Sequence, residues 1–356
     1  MTRRRWSLLA ALFAAALALP HAPLDAQKGQ DAKKKTAPKP VNLVWPLPPE
    51  QPRVRYLRAY RGEIDFDKKK ESKFKALLLG PDSPKPMAVL VKPYGVAVSK
   101  TGVLYVTDTV QRRVFVIDPT AKKVSFVGDS GQGRVSKPIG VALDEDGKVF
   151  VADASLNRVF GYDAEGNLAV AIGHEGELEN PSGLVIDASR KLLYVADSRK
   201  HVVLCYSSVD GTFVRQVGEP GKEQGQLSFP TNLAVDQQGR VYVADTMNFR
   251  VSIFDPEGRF LKAIGSMGDG VGDLSRPKGV GLDSEGHIYV ADANLHFFQI
   301  FDYEGRPLLI VGRPGAAPGE FLLPAGMFID HQDRIYVADQ GNARVQVFQY
   351  LKAPAN

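Results

Sequence analysis

Across most of this chain, apolar and polar positions alternate in short runs that end at Gly, Asp or Pro, the pattern of brief strands joined by tight turns. Residues 138–173 give the unit in full. Val141-Ala142-Leu143 reads as a first strand, and Asp144-Glu145-Asp146-Gly147 turns it into a second, Val149 to Ala152. Arg158 to Tyr162 forms a third, and Asp163-Ala164-Glu165-Gly166 leads to a fourth, Leu168 to Ile172. No segment of the unit carries the apolar stripe of a helix.

The unit recurs. Its second strand spells nearly the same phrase six times: Tyr105-Val106-Thr107-Asp108, Phe150-Val151-Ala152-Asp153, Tyr194-Val195-Ala196-Asp197, Tyr242-Val243-Ala244-Asp245, Tyr289-Val290-Ala291-Asp292 and Tyr336-Val337-Ala338-Asp339. Successive aspartates are 45, 44, 48, 47 and 47 residues apart, a fixed period that marks a repeat architecture. A four-stranded sheet of this size cannot bury both faces alone. The expectation is therefore an all-β fold, a six-bladed β-propeller of four-stranded antiparallel blades stacked around an axis. Gly95, Gly140, Gly183, Gly279 and Gly326 follow the unit-opening prolines, where innermost strands crowd one another; the fourth unit has Asn232 instead.

The sixth unit stops after a third strand, Arg344 to Tyr350. Its missing strand lies upstream: Arg55-Tyr56-Leu57-Arg58-Ala59-Tyr60 matches the fourth-strand wording Arg259-Phe260-Leu261-Lys262-Ala263-Ile264, so the last blade is expected to be closed by an N-terminal strand. Closure removes a free sheet edge. The proline, glycine, Val-Ala-Asp strand and following Asn, Arg and Val resemble the NHL-repeat family of six-bladed propellers over roughly residues 92–350. The run Val44-Trp45-Pro46-Leu47-Pro48-Pro49-Glu50 with Arg53-Val54-Arg55-Tyr56 resembles an exported bacterial subgroup of that family.

Domain organisation follows. Arg3, Arg4 and Arg5 before the apolar run Leu8 to Leu19 read as a cleavable export signal over residues 1–26, with Ala26 or Ala22 at its end. Residues 27–50 form a Lys/Pro-rich tail and strap with Trp45 as anchor, and 51–356 form the propeller: closing strand 53–61, insert 62–91, repeats 92–352. In the insert, Ser72 opens a short helix whose Phe74, Leu77 and Leu78 share one side, serving as a lid, a docking element or a seal between the last and first blades. This predicts a periplasmic or secreted monomer without a transmembrane helix in the mature chain. Cys205 is the sole cysteine and reads as a packed thiol.

The net charge of +5 belongs to the first 50 residues, which hold eight Lys/Arg and three Asp/Glu. The repeats, 92–356, hold 27 basic and 32 acidic residues, so nucleic acid is disfavoured as a partner.

Strand parity puts the uniform hairpin turns on one face and the longer second-to-third loops and interblade connections on the other, where function tends to sit. Binding-face candidates there are Tyr94, Arg112, Arg199, Lys200, His201, Met247, Phe249, Lys278, His296 and Phe297. The six aspartates read as structural, bonding neighbouring amides. Arg113, Arg158, Arg250 and Arg344, each five residues later, resemble the family's repeated structural arginine. The third and fifth units depart from it, with His201-Val202 and His296-Phe297. Two histidines without a fixed third ligand fall short of a zinc signature, so no metal or other cofactor is expected. The Gly-rich stretches at 128–133 and 265–270 do not open helices, and no nucleophile motif is present. The expected function is a non-catalytic binding or scaffold protein of the cell envelope that engages a protein, peptide or glycan. The alternative is a lyase or lactonase-like propeller enzyme working at the channel mouth, although the metal constellations of such relatives are not evident here.

Overall fold

The computed structural model describes residues 43–66 and 87–352. The export signal, most of the tail and the helix expected after Ser72 lie outside them. Five four-stranded antiparallel sheets and one five-stranded sheet form the blades. In the second blade the strands Pro138–Leu143, Val149–Asp153, Arg158–Tyr162 and Leu168–Ile172 run from the axis outward. Val149–Asp153 is buried at every position, whereas Leu168–Ile172 alternates between covered and exposed residues. A middle strand is sandwiched by blades on both sides; an outer strand is not. That difference is why the repeated phrase is continuously apolar while fourth strands alternate.

Six apolar clusters fill the gaps between neighbouring blades. One joins the fifth blade's Tyr289, Phe298 and Ile300 to the sixth blade's Ile335, Val337 and Phe348. Another closes the ring, packing Tyr60, Val345 and Val347 against Val96, Val106 and Phe115. The N-terminal strand Val54–Tyr60 pairs antiparallel with Arg344–Tyr350, in the register Val54↔Tyr350 to Tyr60↔Val345, so the expected closure is present. Beyond expectation, Val44–Trp45 adds a fifth strand outside it. Trp45 meets Phe348 edge-on at 5.7 Å between ring centroids, which anchors the strap.

Crowding at the axis is severe. A Cβ on Gly140 would sit 2.0 Å from the Ser182 carbonyl oxygen of the next blade, and one on Gly183 would sit 2.5 Å from the Asn232 Cα. The fourth blade accepts Asn232 because its amide oxygen takes the Val280 N–H of the fifth blade at 3.0 Å. Here a side chain makes the interblade contact that bare backbone makes elsewhere.

The insert leaves and returns at one point: Gly62 bridges Val89, and the Ala88 N–H donates to Glu63 Oε2 at 2.8 Å. Cys205 is buried and unpaired, and burial pushes its thiol up to about 11. Among the described residues, no helix is long and apolar enough to cross a membrane.

Candidate functional site

Each second strand ends at its aspartate, and the loop that follows places its fourth residue in the left-handed region. Those residues are Arg112, Asn157, His201, Phe249, His296 and Ala343, with φ between 52° and 59°. The aspartates hold this geometry in two ways. Asp108, Asp153, Asp197 and Asp292 each accept two backbone N–H groups from their own loop and two from the connection entering their blade. Such a carboxylate is spent on scaffolding.

Asp245 and Asp339 receive one connection amide each, from Ser228 and Leu322, and complete their shells with side chains. Arg250 Nε donates to Asp245 at 3.0 Å and Arg344 Nε to Asp339 at 2.7 Å, with Asn248 and Asn342 donating beside them. Burial nonetheless raises both carboxyls above their ordinary range. The same guanidinium groups donate to Lys222, Glu223 and Gln226 carbonyls, and to Ala316, Ala317 and Glu320 carbonyls, clamping the incoming connections. The four arginines are thus not equivalent. Arg113 lies 4.6 Å over the Phe126 ring and bonds the Gln111 carbonyl, and neither it nor Arg158 pairs with its aspartate among the described residues.

The histidines answer the same change from the neighbouring blade. Phe229 and Leu323, which precede the opening prolines of the fourth and sixth blades, have φ of 57° and 53°. Their N–H groups do not reach the aspartate; they donate to His201 Nδ1 at 2.8 Å and His296 Nδ1 at 3.1 Å. Each imidazole therefore staples its own blade to the next by accepting through Nδ1. The two are not brought together, and the described residues hold no cluster of three or more His, Cys, Asp or Glu side chains fit for a metal.

Of the remaining candidates, Lys200 spends its ammonium on the Gly176 and Glu177 carbonyls, both at 2.8 Å, and Phe297 opens a third strand. Arg112, Arg199 and Met247 stand exposed on the loops. Tyr94 lines the axial channel, and Lys278 takes the equivalent place in the fifth blade, directly after its opening proline. The channel below the mouth encloses only about 100 Å³, between Tyr94, Ile139, Ser182 and Thr231 at one end and Val185, Ile186 and Phe328. Ligand cavities run from roughly 300 Å³ upward, so a ligand would rest on the mouth and not inside the channel. Ser182 and Thr231 turn inward: Ser182 Oγ donates to the Ala196 and Pro230 carbonyls, and Thr231 Oγ1 pairs with Thr246 Oγ1 at 2.7 Å. Burial pushes the Tyr94 phenol up to about 12, so it remains a donor at neutral pH. Lys278 is 9% exposed, and burial, aided by the Arg276 charge, pushes its ammonium down to about 8.

Phe229 and Arg276 went unnoticed in the sequence. Their signal is position: both immediately precede a unit-opening proline, two residues before Thr231 and Lys278.

A second concavity of about 660 Å³ lies under the strap, lined by Pro46, Arg53, Glu285, His287, Leu309 and Tyr350. His287 Nδ1 meets Asp283 Oδ2 at 2.8 Å, where Arg240 and Arg334 pair with Asp236 and Asp330 in the adjacent blades. Its imidazole is held above its ordinary value by that hydrogen bond against the opposing effect of burial.

The description SMP-30/Gluconolactonase/LRE-like region matches residues 171–269, and NHL repeat matches residues 274–301. NHL repeat-containing protein 2 of Gallus gallus is 33% identical over 94 residues, which span 24% of this chain and 13% of that relative's length. Among solved structures, a streptogramin B lyase is 11% identical at a TM-score of 0.56, covering 74% of this chain and 94% of that one. An auxiliary nutrient binding protein from Bacteroides thetaiotaomicron is 16% identical at a TM-score of 0.57, covering 74% and 70%. At such identities the structural likeness speaks for the fold alone. The ring geometry makes this chain a six-bladed β-propeller, and its likeness to NHL repeats covers part of its length.

Proposed function

We propose that this protein is a non-catalytic binding or scaffold protein of the cell envelope, exported from the cytoplasm, whose variable-loop face engages a protein, peptide or glycan. The distribution of exposed apolar side chains supports this reading. Val110, Leu156, Phe229, Met247, Leu322 and Leu323 are each at least 40% exposed on second-to-third loops or interblade connections, whereas among the described residues Val209 alone is so placed on a hairpin turn of the opposite face. Large apolar groups interspersed with Arg112 and Arg199 are the composition of a recognition surface. The six repeat aspartates are engaged in scaffolding bonds, which argues against their serving as the acid, base or metal set of an enzyme.

Capture from envelope extract tests the reading. Full-length protein should retain a reproducible partner that is lost on combined replacement of Arg112, Met247 and Phe249 by alanine. An unchanged partner in that variant would refute the face assignment, and turnover abolished by His201→Ala with no loss of binding would favour the enzyme.

A further inference from the structure

Among the described residues, Lys278 takes part in none of the hydrogen bonds or ion pairs described above, and it is buried where Arg112, Arg199 and Arg276 are exposed. The residues following the opening prolines are Tyr94, Ile139, Ser182, Thr231, Lys278 and Ala325, and of these Lys278 alone is charged. It is 9% exposed, and its Nζ lies 5.6 Å from the centroid of the Phe229 ring on the adjacent blade. No carboxylate contributes to its environment among the described residues; the neighbouring charge is Arg276, also positive. A buried cation is ordinarily paired, because desolvation without a partner is costly. Around it, the residues on either side of the six prolines include Lys92, Lys137, Arg276 and Lys278 and no Asp or Glu.

We propose that the channel mouth is a binding site for a small organic anion, whose oxyanion group sits between Lys278 and Arg276 and whose apolar part lies against Phe229. This rests on, and sharpens, the reading of the variable face as a binding surface. Lys278 supplies the desolvated positive charge, and Arg276, exposed on the connection two residues earlier, supplies a planar donor pair suited to carboxylate or phosphoryl oxygens. The Tyr94 hydroxyl is a further donor beside the mouth. Ser182 and Thr231 do not compete for the anion, since their hydroxyls are committed to the blades. The bond of the Phe229 N–H to His201 fixes its backbone beside the mouth, and the ring lies within 6.4 Å of the His201 imidazole. The channel is too narrow to admit the ligand, so the anionic head points down to Lys278 and the remainder stays in reach of the loops.

Calorimetric titration of the full chain at low ionic strength with benzoate, phenyl phosphate and neutral benzyl alcohol tests this. One-site binding of at least one anion is expected, with benzyl alcohol weaker by about tenfold or more. The preferred anion distinguishes a carboxylate from a phosphoryl ligand. Lys278→Met and Lys278→Gln should each weaken binding by about tenfold or more, and affinity should fall from about pH 7 to about pH 9.5 in the wild type only. Absence of binding at millimolar anion, or wild-type affinity in Lys278→Met, overturns the proposal. The Arg112, Met247 and Phe249 variant separates the two readings. If it loses the macromolecular partner while no anion binds the wild type, the anion site alone fails. If the anion binds as described while the partner is unaffected, the face assignment alone fails.

Discussion

Replacing Lys278 by methionine should make the protein more stable. The perturbation keeps the length of the side chain and removes a charge that is 9% exposed, faces Arg276 and has no acidic partner among the described residues. Burial takes the ammonium from an ordinary 10.5 to about 8. One pKa unit corresponds to about 1.4 kcal/mol, so keeping Lys278 protonated in the fold at neutral pH opposes folding by about 3 kcal/mol. Loss of the cation–π contact with Phe229 returns about 1 kcal/mol in the other direction. The expected net gain is about 2 kcal/mol. The sign with pH is fixed by the direction of the shift: between about 8 and 10.5 the unfolded chain binds the proton more readily than the fold does. Wild-type stability therefore rises with pH through that window, and the penalty is fully present below it. Urea unfolding of both proteins at about pH 7 and about pH 10 is the assay. The variant should have the higher midpoint at the lower pH, with the difference shrinking at the higher one. A variant less stable than wild type at neutral pH, or a gain that does not change with pH, refutes the reasoning. A stabilising change that also abolishes anion binding would mark Lys278 as kept for function.

Three further outcomes follow from the scaffold. Arg344→Ala removes the charged donor of the buried Asp339 carboxylate, which keeps Leu322, Asn342 and Gln346, and the guanidinium bonds to three loop carbonyls, and should cost about 3–5 kcal/mol in urea unfolding, whereas Arg158→Ala should cost less than about 1 kcal/mol. Equal losses would contradict the two-class account of the aspartates. The raised His287 imidazole contributes stability below its ordinary 6.5 that is lost as pH rises through its folded value. His287→Gln should erase that pH dependence, a change of about 1 kcal/mol in a partly exposed pair, and an identical pH profile in the variant would rule it out. Removing residues through Arg61 takes away Val54, Tyr56 and Tyr60 from two core clusters and should collapse thermal stability. Removing only Gln27 to Lys39 should leave melting unchanged, and equal melting of the two truncated proteins would exclude ring closure by this strand.

Much of this architecture was written in repetition. The phrase ending in aspartate recurs because each middle strand is covered on both sides, and the closing strand was recognisable because Arg55–Tyr60 repeats the wording of an outer strand. The function of individual polar residues was less legible. Arg113 and Arg250 occupy the same place in the repeat, yet only Arg250 pairs with its aspartate. The cause lies elsewhere in the chain, in the left-handed Phe229 that withholds a backbone donor from Asp245 and gives it to His201. A conformational change at one residue before a proline thus redistributes bonds across two blades, and no spacing within a single repeat reveals it. The departures at His201 and His296 drew notice in the sequence, and the structure gives them bonds to the next blade. The unpaired cation at Lys278 needed the fold, because its burial and its lack of an acidic neighbour are properties of the assembled mouth.

Photo-crosslink mapping between the full-length protein and its captured partner tests the central claim most directly. Crosslinks should concentrate at Arg112, Arg199, Met247 and Phe249 around the mouth. Crosslinks confined to the opposite hairpin turns, at 144–147, 236–239 and 255–258, would contradict it.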